Sequence, residues 1–323
     1  MTGRVMLRGV LPLVLWSMGC QRSDVDPPPD TMSDSSTAAL SSASPVSPLP
    51  PPWRSASRRG LWVWDSTLPA DTARSEDLIR FALENGVDTL FLAADPVGHD
   101  EPGAVLAYAA VVAKAHRFRI RVLATSGWGW FTVPCDTVDA DACWEDGWAI
   151  YEGIASSGVP FDGVMDDSEP YAVMKDAWDS DFETRARDTV HFLEGVKDRI
   201  GTLPLHHATP AWYHDLAPVS MVAGGETATL DLWLADTVDV RAVMSYRDTA
   251  EGILAFGAEE LAAATVWLGA ELKNTGEGDH VDFSSEGPDV MLDELDALDA
   301  LVGTDPNYLG SMIHHYDEWL TWL

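Results

Sequence analysis

The stretch that decides the fold is Phe161-Asp162-Gly163-Val164-Met165-Asp166-Asp167-Ser168-Glu169-Pro170-Tyr171, an apolar run that ends in carboxylates and a proline. Because side chains alternate along a β-strand, Met165, Asp167 and Glu169 are predicted on one side and Asp166 and Ser168 on the other. Two carboxylates then lie one pleat apart at the carboxyl end of a buried strand. In an α/β barrel, chemistry is done at that end of the strands.

The rest of the folded part alternates between strands and helices. Eight apolar or β-branched runs are predicted as strands, at residues 60–64, 89–93, 120–125, 161–167, 203–208, 240–246, 265–270 and 308–315. Helical spacing of apolar residues occurs between them, at residues 74–85, 102–116, 144–156, 182–200, 227–236, 249–263 and 288–301. Such alternation favours a parallel sheet, and the span from residue 58 to 323 is close to the roughly 250 residues of a (β/α)8 barrel.

An open, doubly wound sheet is the main alternative fold. That fold normally carries a glycine-rich phosphate loop after its first strand, whereas Trp62-Val63-Trp64-Asp65 follows here. Eight strands favour closure, so the fold class is predicted as α/β, a single (β/α)8 TIM-type barrel over residues 58–323. Only residues 318–323 follow the last strand, which limits the eighth helix to about one turn.

The N-terminal residues are predicted to lie outside this fold. Arg4 and Arg8 flank a short apolar run, which is typical of a signal peptide over residues 1–19. Cys20 after a small residue resembles the lipobox of bacterial lipoproteins, in which the cysteine is acylated; ordinary secretion is the alternative. Residues 20–57 are rich in Ser and Pro and are predicted to be a disordered tether. A lipid-anchored protein of the bacterial cell envelope is expected, at the outer membrane or cell surface.

The charge and the remaining cysteines restrict the partners. A formal net charge of -32 makes nucleic acid an improbable partner, because phosphate binding needs a basic surface. Cys135 and Cys143 bracket an acidic loop, and in an oxidising compartment a short-loop disulfide is their simplest pairing. A metal site built on them lacks a second pair of ligands. We expect a monomer with no cofactor and no metal.

Aromatic and polar side chains collect at the predicted carboxyl ends of the strands. This mixture suits a carbohydrate, because sugar rings stack on aromatic faces and sugar hydroxyls need polar partners. Glycosidic cleavage needs a carboxylic acid that protonates the leaving oxygen, and Glu169 is predicted as that acid. The residues predicted to bind substrate are Trp62, Trp64, Trp128, Trp130, Tyr171, His207, Trp212, Arg247, His315 and Tyr316.

The run from Asp162 to Glu169 resembles the fourth-strand motif of family 18 glycoside hydrolases, the chitinase-like barrels: Asp-Gly, three residues, Asp, one residue, Glu. Val243-Met244-Ser245-Tyr246 resembles the Met-x-Tyr of their sixth strand. The resemblance implies that Glu169 is the general acid, that Asp167 orients an N-acetyl group and that Tyr246 helps to hold that group. Met165 stands where the family usually has another Asp.

Other interpretations stay open within this fold. Glu169 and Glu271 match the strand placement of acid/base and nucleophile in the retaining glycosidases of the large barrel clan. A non-catalytic glycan-binding or cell-envelope lipoprotein on a degenerate barrel is the alternative function, suggested by Met165. The pairs His206-His207 and His314-His315 raise the possibility of a metal-dependent amidohydrolase, but that class has a His-x-His on its first strand, where Trp62-Val63-Trp64 stands.

Overall fold

A computed structural model describes residues 58–135, 143–222, 225–278 and 280–323, apart from the side chain of Trp130. The predictions for the signal peptide, for Cys20 and for the tether fall outside these residues. Within the described part of the chain, no helix is long and apolar enough to cross a membrane.

Eight parallel strands form a closed barrel in which each strand pairs with its neighbours in the sequence and β8 pairs with β1. This confirms the prediction of a (β/α)8 barrel. The predicted strand positions agree with the observed strands to within about two residues at each end. The strands are β1 Arg59–Val63, β2 Thr89–Ala93, β3 Arg121–Ser126, β4 Gly163–Asp166, β5 Leu205–Pro210, β6 Val240–Met244, β7 Val266–Glu271 and β8 Tyr308–His314.

Helices follow every strand, and each of the predicted helical segments contains one. The helices are α1 Thr72–Glu84, α2 Asp95–Gly98, α3 Ala104–Arg117, α4 Trp144–Ser156, α5 Pro170–Val173, α6 Lys175–Ser180, α7 Phe182–Ile200, α8 Leu230–Thr237, α9 Ala250–Phe256, α10 Ala258–Ala263, α11 Pro288–Val302 and α12 Tyr316–Leu320. The final helix, α12, has five residues, which agrees with the predicted single turn.

Residues 249–263, which have helical spacing in the sequence, form two helices. The segment contains α9 and α10, and Gly257 lies between them as the C-cap of α9. Glycine costs about 1 kcal/mol relative to alanine inside a helix, so it marks a weak point there. A Cβ at Gly257 would also lie only 2.6 Å from a methyl carbon of Leu268 in β7, so the break lets the chain approach the barrel closely.

Alternation of side chains divides the core into two layers. Outward-facing residues such as Leu61, Leu90 and Val164 are fully buried between the strands and the helices. Inward-facing residues fill the barrel itself; they include Trp62, Phe91, Leu123, Met165, Trp267 and Met312. Burial of each large apolar side chain stabilises the fold by about 1.5–3 kcal/mol.

Candidate active site

Asp166, the last residue of β4, faces the helices and is completely buried. Its carboxylate accepts hydrogen bonds from Tyr151 Oη of α4 at 2.5 Å, from the backbone N and Oγ of Ser168 at 3.2 and 2.9 Å, and from His207 Nδ1 of β5 at 2.7 Å. We call these four residues the outer cluster. Because it ties β4 to β5 and to α4, it fixes the backbone from which the next carboxylates project.

Asp167 and Glu169 project from the opposite side of this segment and stay partly exposed to solvent. Burial raises the pKa of Asp167 well above its usual range, and the nearby charges of Glu169 and Asp166 raise it further. Burial also raises the pKa of Glu169. The hydroxyl of Tyr171, which donates to Glu169 Oε1, and the nearby His314 and His207 partly offset this increase. Each group therefore retains its proton at a higher pH than an ordinary carboxyl does.

Two glycines after β3 allow the chain to approach this acidic segment. A Cβ at Gly127 would lie 2.3 Å from the backbone carbon of Asp167, and one at Gly129 would lie 2.5 Å from the backbone oxygen of Glu169. Real Cβ atoms do not make such contacts with backbone. The loop after β3 is thus packed directly on the residues that carry both carboxylates, which requires glycine at these two positions.

A third carboxylate enters the site from β7. Glu271 is 3% exposed and accepts hydrogen bonds from His314 Nδ1 of β8 at 2.6 Å and from the backbone N of Lys273 at 2.8 Å. The indole Nε1 of Trp64, just after β1, lies 2.9 Å from His314 Nε2. Three neighbouring strands thereby contribute to one hydrogen-bonded chain that ends on Glu271.

Tyr246, which follows β6, is affected by the charges of both the β4 acids and Glu271 of β7. Burial raises its pKa well above the usual range, and the charges of Glu271, Glu169 and Asp167 raise it further, in that order. Its ring centroid lies 6.4 Å from that of His314, which hydrogen bonds to Glu271. The four residues predicted as catalytic, Asp167, Glu169, Tyr246 and Glu271, lie at or just after the carboxyl ends of β4, β6 and β7.

Aromatic rings surround these groups. Trp64 stacks on Trp62 with ring centroids 5.2 Å apart, and Tyr171 contacts Trp212 edge to face at 5.1 Å. Trp128, in the loop after β3, is 46% exposed. A partly exposed indole next to partly buried carboxyls offers apolar area together with hydrogen-bonding groups, which is the combination that a sugar ring requires.

Some residues predicted to bind substrate lie elsewhere. Trp62 is 2% exposed inside the barrel, beneath Trp64. His207 is 1% exposed and belongs to the outer cluster. Tyr316 packs against Phe81 in the helical layer, with ring centroids 5.1 Å apart. Such burial leaves these side chains no surface for a ligand.

Two more of these residues have local partners. The guanidinium carbon of Arg247 lies 3.7 Å from the ring centroid of Phe256, and its Nη1 donates to the backbone oxygen of Tyr246. Burial, followed by the charges of His314 and Lys273, lowers the pKa of His315 to about 3, so this ring is neutral near pH 7. The side chain of Trp130 is outside the described residues.

The structure joins Cys135 and Cys143 by a disulfide, with Cα atoms 5.0 Å apart. Among the described residues, the one group of side chains close enough to hold a metal ion is Cys135, Cys143 and Glu145. Both of its sulfurs are already bonded to each other. The two histidines of the first pair face different ways: His206 hydrogen bonds with Trp267 inside the barrel, whereas His207 faces the helices.

Sequence reasoning missed two side chains that support the site. Alternation along the strand predicts that Asp166 faces away from Asp167, but its role in joining four donors depends on strand pairing that brings His207 opposite to it. His314 was noted only as one of a pair, and its contact with Glu271 follows from the register of β7 with β8. Asp166 and His207 are 41 positions apart in the sequence, and Glu271 and His314 are 43 positions apart. No local sequence pattern therefore predicts these contacts.

No family model matches the sequence, and no curated protein matches it. Among solved structures, a GH18 chitinase from Pseudoalteromonas aurantia is similar over 82% of this chain and 98% of its own, at 12% identity and a TM-score of 0.48. The GH5_18 protein from Streptomyces cattleya, solved with Manb1-4GlcNAc, has 16% identity and a TM-score of 0.53, covering 81% of this chain and 71% of its own. Bacteroides uniformis beta-glucuronidase has 11% identity and a TM-score of 0.53, covering 80% of this chain and 30% of its own. At these identities the similarity shows the fold alone.

Proposed function

We propose that this protein is a glycoside hydrolase that acts on an oligo- or polysaccharide, with Glu169 as the general acid. The observation that carries the proposal is the placement of Asp167, Glu169, Tyr246 and Glu271 at the carboxyl ends of three barrel strands, β4, β6 and β7. The glycoside hydrolases among the structural neighbours have the same fold and add support at that level only.

The environment of Glu169 suits proton donation to a leaving oxygen. Because burial raises its pKa, the group keeps its proton closer to neutral pH than an exposed glutamate does. As the bond to the leaving sugar breaks, Glu169 transfers that proton to the glycosidic oxygen, and positive charge develops at the anomeric carbon. The negative charge of Glu271 and the carboxyl of Asp167 lie on the same side of the barrel as Glu169.

Two arrangements of side chains can stabilise the positive charge that develops at the anomeric carbon. In the first, Asp167 and Tyr246 hold an N-acetyl group of the substrate, as the family 18 resemblance implies. In the second, Glu271 is the partner carboxylate of Glu169. The hydrogen bonds on both oxygens of Glu271 hold it in a fixed orientation, which favours the second arrangement.

The direct test is a Glu169→Gln variant of the purified protein, assayed on a panel of oligosaccharides that includes N-acetylated ones. General acid catalysis contributes about 10²–10⁴-fold, so kcat on any cleaved glycoside should fall by about that factor. Glu194→Gln, at an exposed position on α7, is the matched control and should retain the wild-type rate. Wild-type turnover by Glu169→Gln would contradict the assignment of the acid.

Met165 favours a second candidate function, the non-catalytic binding of glycans. Its fully buried thioether occupies the inward position before Asp167 where the resembled family has a carboxylate. Binding of the same oligosaccharide panel, measured by calorimetry with no turnover in the wild type, would support this function. Turnover that disappears in Glu169→Gln would remove it.

We further propose that the protein is attached to a membrane of the bacterial cell envelope through an acylated Cys20. The support is the sequence of residues 1–20 and the Ser/Pro-rich segment that follows. Fatty-acid labelling of the full chain should mark the wild type and not Cys20→Ala, and the variant should leave the membrane fraction. Equal labelling of both would contradict the anchor.

A further inference from the structure

Three side chains form a continuous hydrogen-bonded chain, which we call the Trp64 array: Trp64, His314 and Glu271. In the closed barrel β8 lies between β7 and β1, so the array crosses three adjacent strands at their carboxyl ends. The register places Glu271 opposite His314. His314 therefore links a residue after the first strand to an acid on the seventh.

The array fixes the position of one proton. An indole N–H can only donate, so His314 Nε2, 2.9 Å from Trp64 Nε1, is the acceptor and carries no hydrogen. A neutral histidine has one N–H, which must then lie on Nδ1, 2.6 Å from Glu271 Oε2. Lys273 donates its backbone N–H to the other oxygen of Glu271. Both oxygens of this carboxylate thus accept hydrogen bonds.

We propose that Trp64 and His314 are positioning residues that hold Glu271 as an oriented, negatively charged carboxylate facing the sugar carbon at the cleaved bond. This inference rests on the proposed glycoside hydrolase function and adds the means by which one of its carboxylates is held. Preorganised charge lowers the barrier because it needs no reorientation as charge develops in the substrate. A carboxylate free to rotate would lose this advantage.

The charged and titratable groups around His314 come from several strands of the barrel. Glu271 lies on β7, Tyr246 follows β6, Glu169 follows β4 and His315 is the next residue, with ring centroids of the two histidines 4.7 Å apart. Loss of the Trp64 bond would free Nε2 to take up the proton. Glu271 would then lose its donor.

The barrel supplies a matched control for the indole N–H. Trp62 stacks on Trp64 and is equally an indole, but its Nε1 has no hydrogen-bond partner among the described residues. Trp64→Phe and Trp62→Phe each remove one pyrrole ring. Only the first removes a donor to His314.

The first measurement is nitrogen-15 NMR of the histidine rings in the full, unliganded protein, with His314 assigned from His314→Gln. We expect a protonated Nδ1 and a bare Nε2 in the wild type and in Trp62→Phe, and a mixture of tautomers in Trp64→Phe. A protonated Nε2 in the wild type, or no change in Trp64→Phe, would overturn the proposal.

The second measurement is steady-state kinetics on the glycoside that the wild type cleaves. Trp64→Phe should lower kcat by about 10- to 100-fold and leave KM within about twofold, because Glu271 is misplaced in the transition state while substrate binding is kept. A rise in KM of about 10- to 100-fold with unchanged kcat would assign Trp64 to binding and overturn its positioning role. Absence of wild-type turnover, with the tautomer as expected, would contradict the proposed function and not the array.

Discussion

At the scale of the residue, Tyr171 determines how far burial raises the pKa of Glu169. Its hydroxyl donates to Glu169 and stabilises the charged form, so it lowers a pKa that burial raises. Activity that needs protonated Glu169 is lost as the pH rises through this pKa. Tyr171→Phe removes the stabilising bond, so the alkaline limb of the kcat/KM profile should move to higher pH.

The measurement is the pH dependence of kcat/KM for the variant and the wild type on one glycoside. Tyr308→Phe is the control, because it also removes a hydroxyl that donates to a carboxylate, Asp299, at the opposite end of the barrel. Its alkaline limb should coincide with that of the wild type. A shift of the Tyr171→Phe limb to lower pH would contradict this role.

Asp167 gives a second prediction, which concerns stability. Because its pKa is raised in the folded protein, the folded state is favoured below the pKa of the unfolded chain and loses that advantage as the pH rises. Asp167→Asn has no charge to bury. It should therefore melt a few degrees above the wild type at neutral pH, where about 1 kcal/mol corresponds to about 2–4 °C, and it should lose activity.

The melting-temperature difference should shrink as the pH falls toward the unfolded aspartate value of about 3.9. Scanning calorimetry of both proteins across this pH range provides the comparison. Asp176→Asn, at an exposed position in α6, should show little difference at any pH. A destabilised Asp167→Asn at pH 7 would show that the buried charge does not cost stability there.

At the scale of the element, the outer cluster makes β4 rigid at its carboxyl end. Asp166→Asn keeps the volume but removes acceptor capacity from buried donors, including Tyr151 and His207. An unpaired buried polar group costs about 1–3 kcal/mol, so unfolding should require that much less free energy. The acids that follow would also lose their fixed position, so kcat should fall as well.

Asp162 provides the matched comparison at the other end of β4. Its carboxylate accepts from His116 Nε2 and from the backbone N of Val122, each at 2.8 Å. Asp162→Asn should destabilise the fold and leave kcat unchanged, whereas Asp166→Asn should affect both. Urea denaturation and kinetics of the two variants separate these effects. Equal losses of kcat in both would show that stability alone governs activity.

Some elements could be predicted from the sequence and others could not, for physical reasons. Strands and most helices were predictable because alternation and helical spacing are local, and the acids at Asp167 and Glu169 were found from the same alternation. The contacts of Asp166 and His314 were not predictable, because they depend on the register between strands. The short helices α5 and α6 were missed, since four and six residues are too few for helical periodicity.

At the scale of the whole molecule, electrostatic repulsion opposes the folded state. The chain carries 52 Asp and Glu against 20 Lys and Arg, and compact folding brings these negative charges closer together. Salt screens this repulsion, because the Debye length falls from about 30 Å at 0.01 M to about 10 Å at 0.1 M ionic strength. The melting temperature at pH 7 should therefore rise with sodium chloride over this range, and the salt bridges of the surface should contribute little in the opposite direction. Calorimetry at matched protein concentration tests this, and a melting temperature that falls with salt would show that attractive surface ion pairs, such as the one between Lys114 and Glu76, outweigh the net repulsion.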